Sequence, residues 1–130
     1  MIVIDSSTVI EVLLRTNRAL RIERRIFSPG ETLHAPHLLD LEVAQVLRRY
    51  SVTGQMDPER GQQAVGDLAD FPITRYFHDL FLPRIWQLRH HMTAYDAVYV
   101  ALAEILAAPL LTRDARLASS PGHTASIDLI

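Results

Sequence analysis

The stretch MIVIDSSTVIEVLL, residues 1–14, combines a short apolar run, one acid and an apolar helical pattern. Residues 1–4 are bulky and β-prone, which predicts a short buried strand. The next apolar residues, from Val9 to Leu14, recur at helical spacing, which predicts a helix over about 6–15. Asp5 therefore lies at the carboxyl end of a strand. In open α/β sheets this edge carries ligand sites, because helix N-termini point into the crevice there.

The same alternation of strand-like and helical patterns continues to the C-terminus. Further strand-like runs lie around 31–36, 72–74, 109–112 and 126–130. Further helical patterns lie at about 18–27, 37–52, 58–69, 78–90 and 94–107, with a short helical turn near 114–118. This alternation predicts a mostly parallel central sheet between helices, a three-layer α/β/α fold. Since no repeat or linker interrupts it, we predict one domain over 1–130.

The composition excludes several function classes. All thirteen basic residues are arginine, so any mechanism that requires a lysine is excluded. Phosphatases of the haloacid dehalogenase type and response-regulator receivers both place an acid after an early strand, but both need a lysine. The phosphatases also need a second acid where this chain has Ser7.

The composition and the N-terminal sequence also bear on the cellular compartment. It lacks cysteine, which suits a reducing cytoplasm, and it lacks the basic and apolar regions of a leader peptide. Its most apolar stretch, AVYVALAEILAAPLL, is broken by Glu104 and Pro109. We therefore predict a cytoplasmic protein without a membrane partner.

Glu42 lies in the helical segment 37–52, beside an apolar stripe formed by Leu39, Val43, Val46 and Tyr50. A carboxylate near a buried helix face loses hydration and needs donors or a cation to stay charged. Taken alone, it could instead be a boundary residue that extends to solvent or pairs with an arginine, and both interpretations stay open. Asp40 lies on the opposite face, where compensation of the helix dipole in the first turn explains it.

Asp96 and Asp114 both stand where a helix begins. Asp96 follows Thr93 by three residues, the spacing of a capping box, and Asp114 follows the apolar run 109–111 as an N-cap would. Each capping role is sufficient when taken alone. Asp5 and Asp114 nonetheless end strands at the same edge of the sheet, and acids gathered without lysine need a cation. Oxygen-only ligation suits Mg²⁺ or Mn²⁺, which activate water for phosphodiester hydrolysis.

The chain resembles the PIN-domain ribonucleases, and within them the VapC-type toxins of bacterial type II toxin–antitoxin systems. Four segments carry the resemblance, in the family's order: MIVIDSSTVIE, LLDLEVAQVLRR, TAYDAVYVALAE and LLTRDARLA. They span essentially the whole chain and imply the PIN-like α/β/α fold. The resemblance implies that the metal-binding catalytic acids are Asp5, Glu42, Asp96 and Asp114. It also matches Ser6 and Thr112 to supporting polar positions.

This resemblance implies a Mg²⁺- or Mn²⁺-dependent endoribonuclease that leaves 5′-phosphate and 3′-hydroxyl ends on RNA. It also implies a small VapB-type antitoxin as partner, and a homodimer or a heterotetramer or octamer with that antitoxin. Two alternatives stay open. One is a non-catalytic PIN-like module that binds RNA or a protein, and the other is a housekeeping RNA-processing nuclease without an antitoxin.

Two arginines flank the last acid. Arg113 and Arg116 stand on either side of Asp114, and a guanidinium suits phosphate because it donates paired hydrogen bonds. We therefore predict that both contact RNA. The six histidines show no catalytic or metal-site grouping, and we interpret them as structural or surface residues.

Overall fold

The computed structural model describes all 130 residues and contains one five-stranded sheet. The strands are β1 (Ile2–Ile4), β2 (Leu33–Pro36), β3 (Ile73–Tyr76), β4 (Leu110–Thr112) and β5 (Ile127–Leu129). Their order is β3-β2-β1-β4-β5, and every neighbouring pair is parallel. The predicted α/β fold is confirmed, with a sheet that is parallel throughout.

Seven α-helices surround the sheet. They are α1 (Ser6–Leu13), α2 (Ala19–Ile26), α3 (Leu38–Val52), α4 (Pro58–Asp70), α5 (Leu82–Gln87), α6 (Ala94–Leu106) and α7 (Ala115–Ala118). The prediction of one helix over 78–90 was wrong, because a 3₁₀ turn at Asp79–Phe81 precedes a separate α5. Pro83 lacks an N–H and is tolerated only in a first helical turn, so it starts a new helix there. None of the helices combines the length and the apolar character needed to span a bilayer.

The path of the chain places helices on both faces of the sheet. From β1 to β3 the chain moves in one direction, and it then crosses back to β4 and β5. Because parallel crossovers are right-handed, this reversal puts α6 on the face opposite α1 and α3. Strand order reverses between β1 and β4, and a crevice therefore opens at their carboxyl ends.

The core lies between β1 and the helices that cover it. All of β1 is buried, and α6 is buried along its middle from Ala97 to Ala103. On α3 the buried residues are Leu39, Val43 and Leu47. The predicted stripe through Val46 and Tyr50 was therefore only partly correct. A spacing of four keeps Leu47 in line with the buried face, whereas Val46 and Tyr50 lie at its half-buried border.

Asp40 does more than compensate the dipole of α3. It accepts hydrogen bonds from the Arg75 guanidinium at 2.7 and 2.9 Å, and Arg75 also donates to the Leu68 carbonyl at 3.0 Å. A paired guanidinium–carboxylate contact is among the stronger polar interactions. This pair therefore joins α3 to β3 and to the end of α4.

His34 is buried in β2. Its surroundings make the free energy of unfolding depend on pH. Its ring nitrogens lie 2.8 Å from the hydroxyls of Thr32 and Tyr76. Burial lowers the pKa of His34 below its ordinary value of 6.5, and the positive N-terminus lowers it further. Because the folded pKa lies below the unfolded one, this stabilisation is present above pH 6.5 and is lost as the pH falls.

We therefore expect the free energy of unfolding of the wild type to fall more steeply below pH 6.5 than that of His34→Gln. Urea unfolding at a series of pH values measures both slopes. The exposed His90→Gln is the control and should follow the wild type. Equal slopes for the wild type and His34→Gln would contradict this role of His34.

Candidate active site

Asp5 follows β1 directly and caps α1 at the crevice. Its Oδ1 accepts from the Thr8 N–H at 3.0 Å and from the hydroxyls of Ser7 and Thr8 at 2.7 and 3.1 Å. Its Oδ2 accepts from the Thr112 hydroxyl, which reaches across from β4. The side chain is buried, with 7% of the residue exposed. These bonds hold both carboxylate oxygens of Asp5 between β1 and β4.

Asp114 stands after β4 and caps α7. Its Oδ1 accepts from the N–H groups of Arg116 and Leu117 at 2.9 and 3.3 Å. The Asp114 N–H donates to the Thr112 hydroxyl at 3.0 Å. Thr112 is fully buried and contacts both acids, so it sets the position of Asp114 relative to Asp5.

Asp96 lies in the first turn of α6, and its N–H donates to the Thr93 hydroxyl at 3.2 Å, as the predicted cap at Thr93 requires. Its carboxylate contacts the Arg116 guanidinium, also at 3.2 Å. Burial raises the pKa of Asp96, the positive charge of Arg116 lowers it, and the negative charge of Asp114 raises it. The Asp96 carboxylate therefore lies close to a second acid of the predicted set.

Glu42 projects from α3 toward the same crevice. The Tyr99 hydroxyl on α6 donates to Glu42 Oε1 at 2.6 Å. Burial raises the pKa of Glu42, the Tyr99 hydrogen bond opposes this, and the charges of Asp5 and Asp96 raise it. Ser6, at the start of α1, also lowers this pKa through its hydroxyl. The fold thus brings Glu42 into the electrostatic field of the other acids.

The four predicted acids therefore lie around one crevice and repel one another. As they stand, no three of them converge on a point where they would hold a metal ion. Two are instead bridged by Arg116, which lies 3.2 Å from carboxylate oxygens of both Asp96 and Asp114. A set of oxygen-only donors with like charges fits a hard divalent cation such as Mg²⁺ or Mn²⁺.

Tyr99 was missed by the sequence interpretation. It stands three residues after Asp96 on α6, so both side chains project from neighbouring turns of one helix. Within the apolar run AVYVALA a tyrosine is typical of a core residue. Its hydrogen bond to Glu42 is therefore easily overlooked. Its hydroxyl nonetheless orients Glu42, and the spacing from Asp96 was the available signal.

Glu11 was also missed, and it changes the interpretation of Arg113. Glu11 is buried on α1, accepts from the Arg113 guanidinium and lies 3.9 Å from Arg18. The Arg113 N–H donates to the Ser7 hydroxyl at 3.1 Å. Arg113 is therefore engaged within the protein, and its contact with RNA stays a prediction. An acid between Ile10 and Val12 in an apolar helix was the signal for a buried charge pair.

We expect Glu11→Gln to lower the free energy of unfolding. The substitution leaves the partly buried Arg113 guanidinium without its carboxylate, and such losses cost about 1–3 kcal/mol. Urea unfolding at neutral pH measures the change. The matched control is Glu59→Gln, an exposed residue of α4, which should change stability by less than about 1 kcal/mol. If both variants are equally stable, the Glu11–Arg113 pair does not hold α1 to the β4–α7 loop.

Comparison with known proteins gives a consistent result. The model of the PIN domain family matches residues 2–121. The chain is 40% identical over 130 residues to ribonuclease VapC12 of Mycobacterium tuberculosis, with 100% of this chain and 99% of that protein covered.

Two solved structures share the fold. VapC20 of Mycobacterium tuberculosis, described as a sarcin–ricin loop cleaving toxin, superposes with a TM-score of 0.70 at 13% identity, covering 92% of this chain and 94% of that one. VapBC2 of Rickettsia felis, solved with a DNA fragment from its promoter, gives 0.73 at 11% identity, covering 99% and 98%. At such low identities the likeness is one of fold.

Proposed function

Because the chain belongs to the PIN-domain family, and within it to the VapC-type ribonucleases, we propose that its acidic crevice hydrolyses RNA with the help of a divalent cation. Asp5, Glu42, Asp96 and Asp114 are the residues that would hold Mg²⁺ or Mn²⁺. The observation that supports this proposal is that four acids from four separate segments lie around the crevice where the strand order reverses. Burial and the neighbouring negative charges raise the pKa of Glu42 and of Asp96, which disfavours their ionised forms unless a cation joins them.

The neighbouring side chains prepare these acids for that role. Thr112 joins Asp5 to Asp114, and Tyr99 orients Glu42 across the crevice. Such supporting hydrogen bonds keep carboxylates in place before a ligand arrives. When bound, the metal would lower the pKa of the attacking water and offset negative charge on the phosphodiester.

A groove beside Glu42 offers space for a substrate strand. It has a volume of about 360 Å³ and is lined by Ser6, Leu38, Leu41, Glu42, Gln45, Val46 and Tyr95. Tyr95 is 64% exposed next to Asp96. An exposed aromatic ring at this position can stack on an unpaired base, which favours single-stranded or looped RNA.

The partners follow from the same family membership. We propose a small VapB-type antitoxin as the physiological inhibitor, since a relative at 40% identity over the full chain is a VapC ribonuclease and a structural neighbour is a VapBC protein. A homodimer, or a heterotetramer or octamer with the antitoxin, is the proposed assembly. Size-exclusion chromatography with light scattering, on the toxin alone and on the co-expressed pair, measures both masses.

The test of the catalytic proposal is cleavage of total cellular RNA by purified, antitoxin-free protein. We expect cleavage with Mg²⁺ or Mn²⁺, none with EDTA, and recovery when the metal is restored in excess. Undiminished cleavage in EDTA would contradict the metal dependence. No cleavage with either metal, from protein shown to be folded, would instead favour a non-catalytic PIN-like binding module.

A further inference from the structure

Arg116 occupies an unusual position among the acids. One of its terminal nitrogens lies 3.2 Å from Asp96 Oδ2 and 3.2 Å from Asp114 Oδ2. The other oxygen of Asp114 is already engaged by the backbone N–H groups at the start of α7. The guanidinium therefore contacts the Asp114 oxygen that these backbone donors leave free. Arg116 is the only positively charged side chain that contacts the Asp96 carboxylate.

The two arginines that flank Asp114 differ in their freedom to move. Arg113 is 30% exposed and pairs with the buried Glu11, which takes no part in the crevice. Arg116 is 71% exposed, and its only carboxylate partners are the two site acids. Exposed ion pairs of this kind are weak and exchange readily. Arg116 can therefore leave the acids, whereas Arg113 is held by its buried partner.

We propose that Arg116 is an internal counter-cation that bridges Asp96 and Asp114 and competes with the catalytic metal for them. This inference rests on the proposed metal site. A guanidinium and a divalent cation are both drawn to the same two carboxylates and repel each other. Metal binding therefore displaces Arg116 outward, where its planar fork becomes available to an RNA phosphate. Arg116 thus weakens metal binding in the free protein and contributes to RNA binding once it has been displaced.

The test is the dissociation constant for Mn²⁺, measured by electron paramagnetic resonance of the free ion in the absence of RNA. Arg116→Gln is expected to bind Mn²⁺ about three- to tenfold more tightly than the wild type. Arg116→Lys keeps the charge and should remain near the wild-type value. Arg21→Gln removes the same charge from an exposed position on α2 that forms no ion pair, and it should also remain near the wild type.

The outcomes separate this inference from the proposed function. If the wild type binds Mn²⁺ and Arg116→Gln binds equally or more weakly, Arg116 does not compete with the metal, and the nuclease proposal is unaffected. An equal gain in Arg21→Gln would show a general charge effect and would also overturn the inference. If neither the wild type nor Arg116→Gln binds Mn²⁺, the metal site itself is wrong, and both proposals fail.

The salt dependence of binding to a single-stranded DNA, which a ribonuclease is not expected to cleave, gives a second readout in EDTA and again with Mn²⁺. In EDTA Arg116 still lies on its carboxylates, so Arg116→Gln should leave the salt dependence of DNA binding nearly unchanged. With Mn²⁺ bound, Arg116 is displaced toward the DNA backbone. In that case the slope should fall by about one unit in Arg116→Gln. A fall of the same size in EDTA would contradict the displacement of Arg116 by metal.

Discussion

Asp5→Asn is expected to abolish RNA cleavage, by about 10³-fold or more, while the protein stays folded. Asp5 supplies a charged oxygen at the centre of the acidic crevice, and the amide removes that charge. The amide oxygen can still accept from Ser7 and Thr8, so the cap of α1 is retained. The amide nitrogen then faces Thr112, whose hydroxyl can turn to accept.

The measurement is the initial rate of RNA cleavage at saturating Mg²⁺, with circular dichroism to confirm the fold. The matched control is Asp57→Asn, because Asp57 is also an aspartate N-cap, on α4, and accepts from the Glu59 N–H at 3.1 Å. It should keep full activity. Cleavage by Asp5→Asn within tenfold of the wild type would place the reaction at another site.

Asp96→Asn is expected to have two opposite effects, a loss of cleavage comparable to that of Asp5→Asn and a gain in the stability of metal-free protein. Burial and the charge of Asp114 raise the pKa of Asp96, so ionisation of this group destabilises the fold. The neutral amide removes that repulsion, and we expect the Tm in EDTA to rise by a few degrees. The gain should be present at neutral pH and should vanish as the pH falls below 3.8, the ordinary pKa of an aspartate.

Thermal unfolding with and without Mg²⁺ distinguishes this effect from a general one. The wild type should gain stability with Mg²⁺ by mass action, and Asp96→Asn should gain much less. Asp67→Asn, an exposed acid of α4, is the control and should match the wild type in both buffers. If Asp96→Asn melts below the wild type in EDTA, the acids do not repel one another as the geometry indicates.

Much of the fold follows from local patterns in the sequence. The five strands and most of the helices lie within a few residues of their predicted bounds, because buried strands and amphipathic helices have distinct periodicities. The caps at Thr93 and Asp114 were predicted correctly, since each stands where a helix begins. The single helix predicted over 78–90 was wrong because Pro83 belongs to the first turn of a new helix, α5, which follows a 3₁₀ turn.

The long-range pairs could not be predicted from sequence. Arg113 meets Glu11 across 102 residues of chain, and Arg75 meets Asp40 across 35. Such contacts depend on strand order, and no local pattern specifies which of thirteen arginines faces a given acid. For the same reason the bridge from Arg116 to both Asp96 and Asp114 became visible only in the folded chain.

The chemistry of the cleaved RNA ends shows whether water, activated at the acidic crevice, attacks the phosphodiester. Purified protein is incubated with cellular RNA and Mg²⁺, and the new ends are identified by ligation and sequencing with and without phosphatase treatment. Attack by water at a carboxylate–metal site predicts 5′-phosphate and 3′-hydroxyl ends. Ends bearing a 5′-hydroxyl and a 2′,3′-cyclic phosphate would show attack by the ribose hydroxyl and would contradict metal-assisted hydrolysis by this protein.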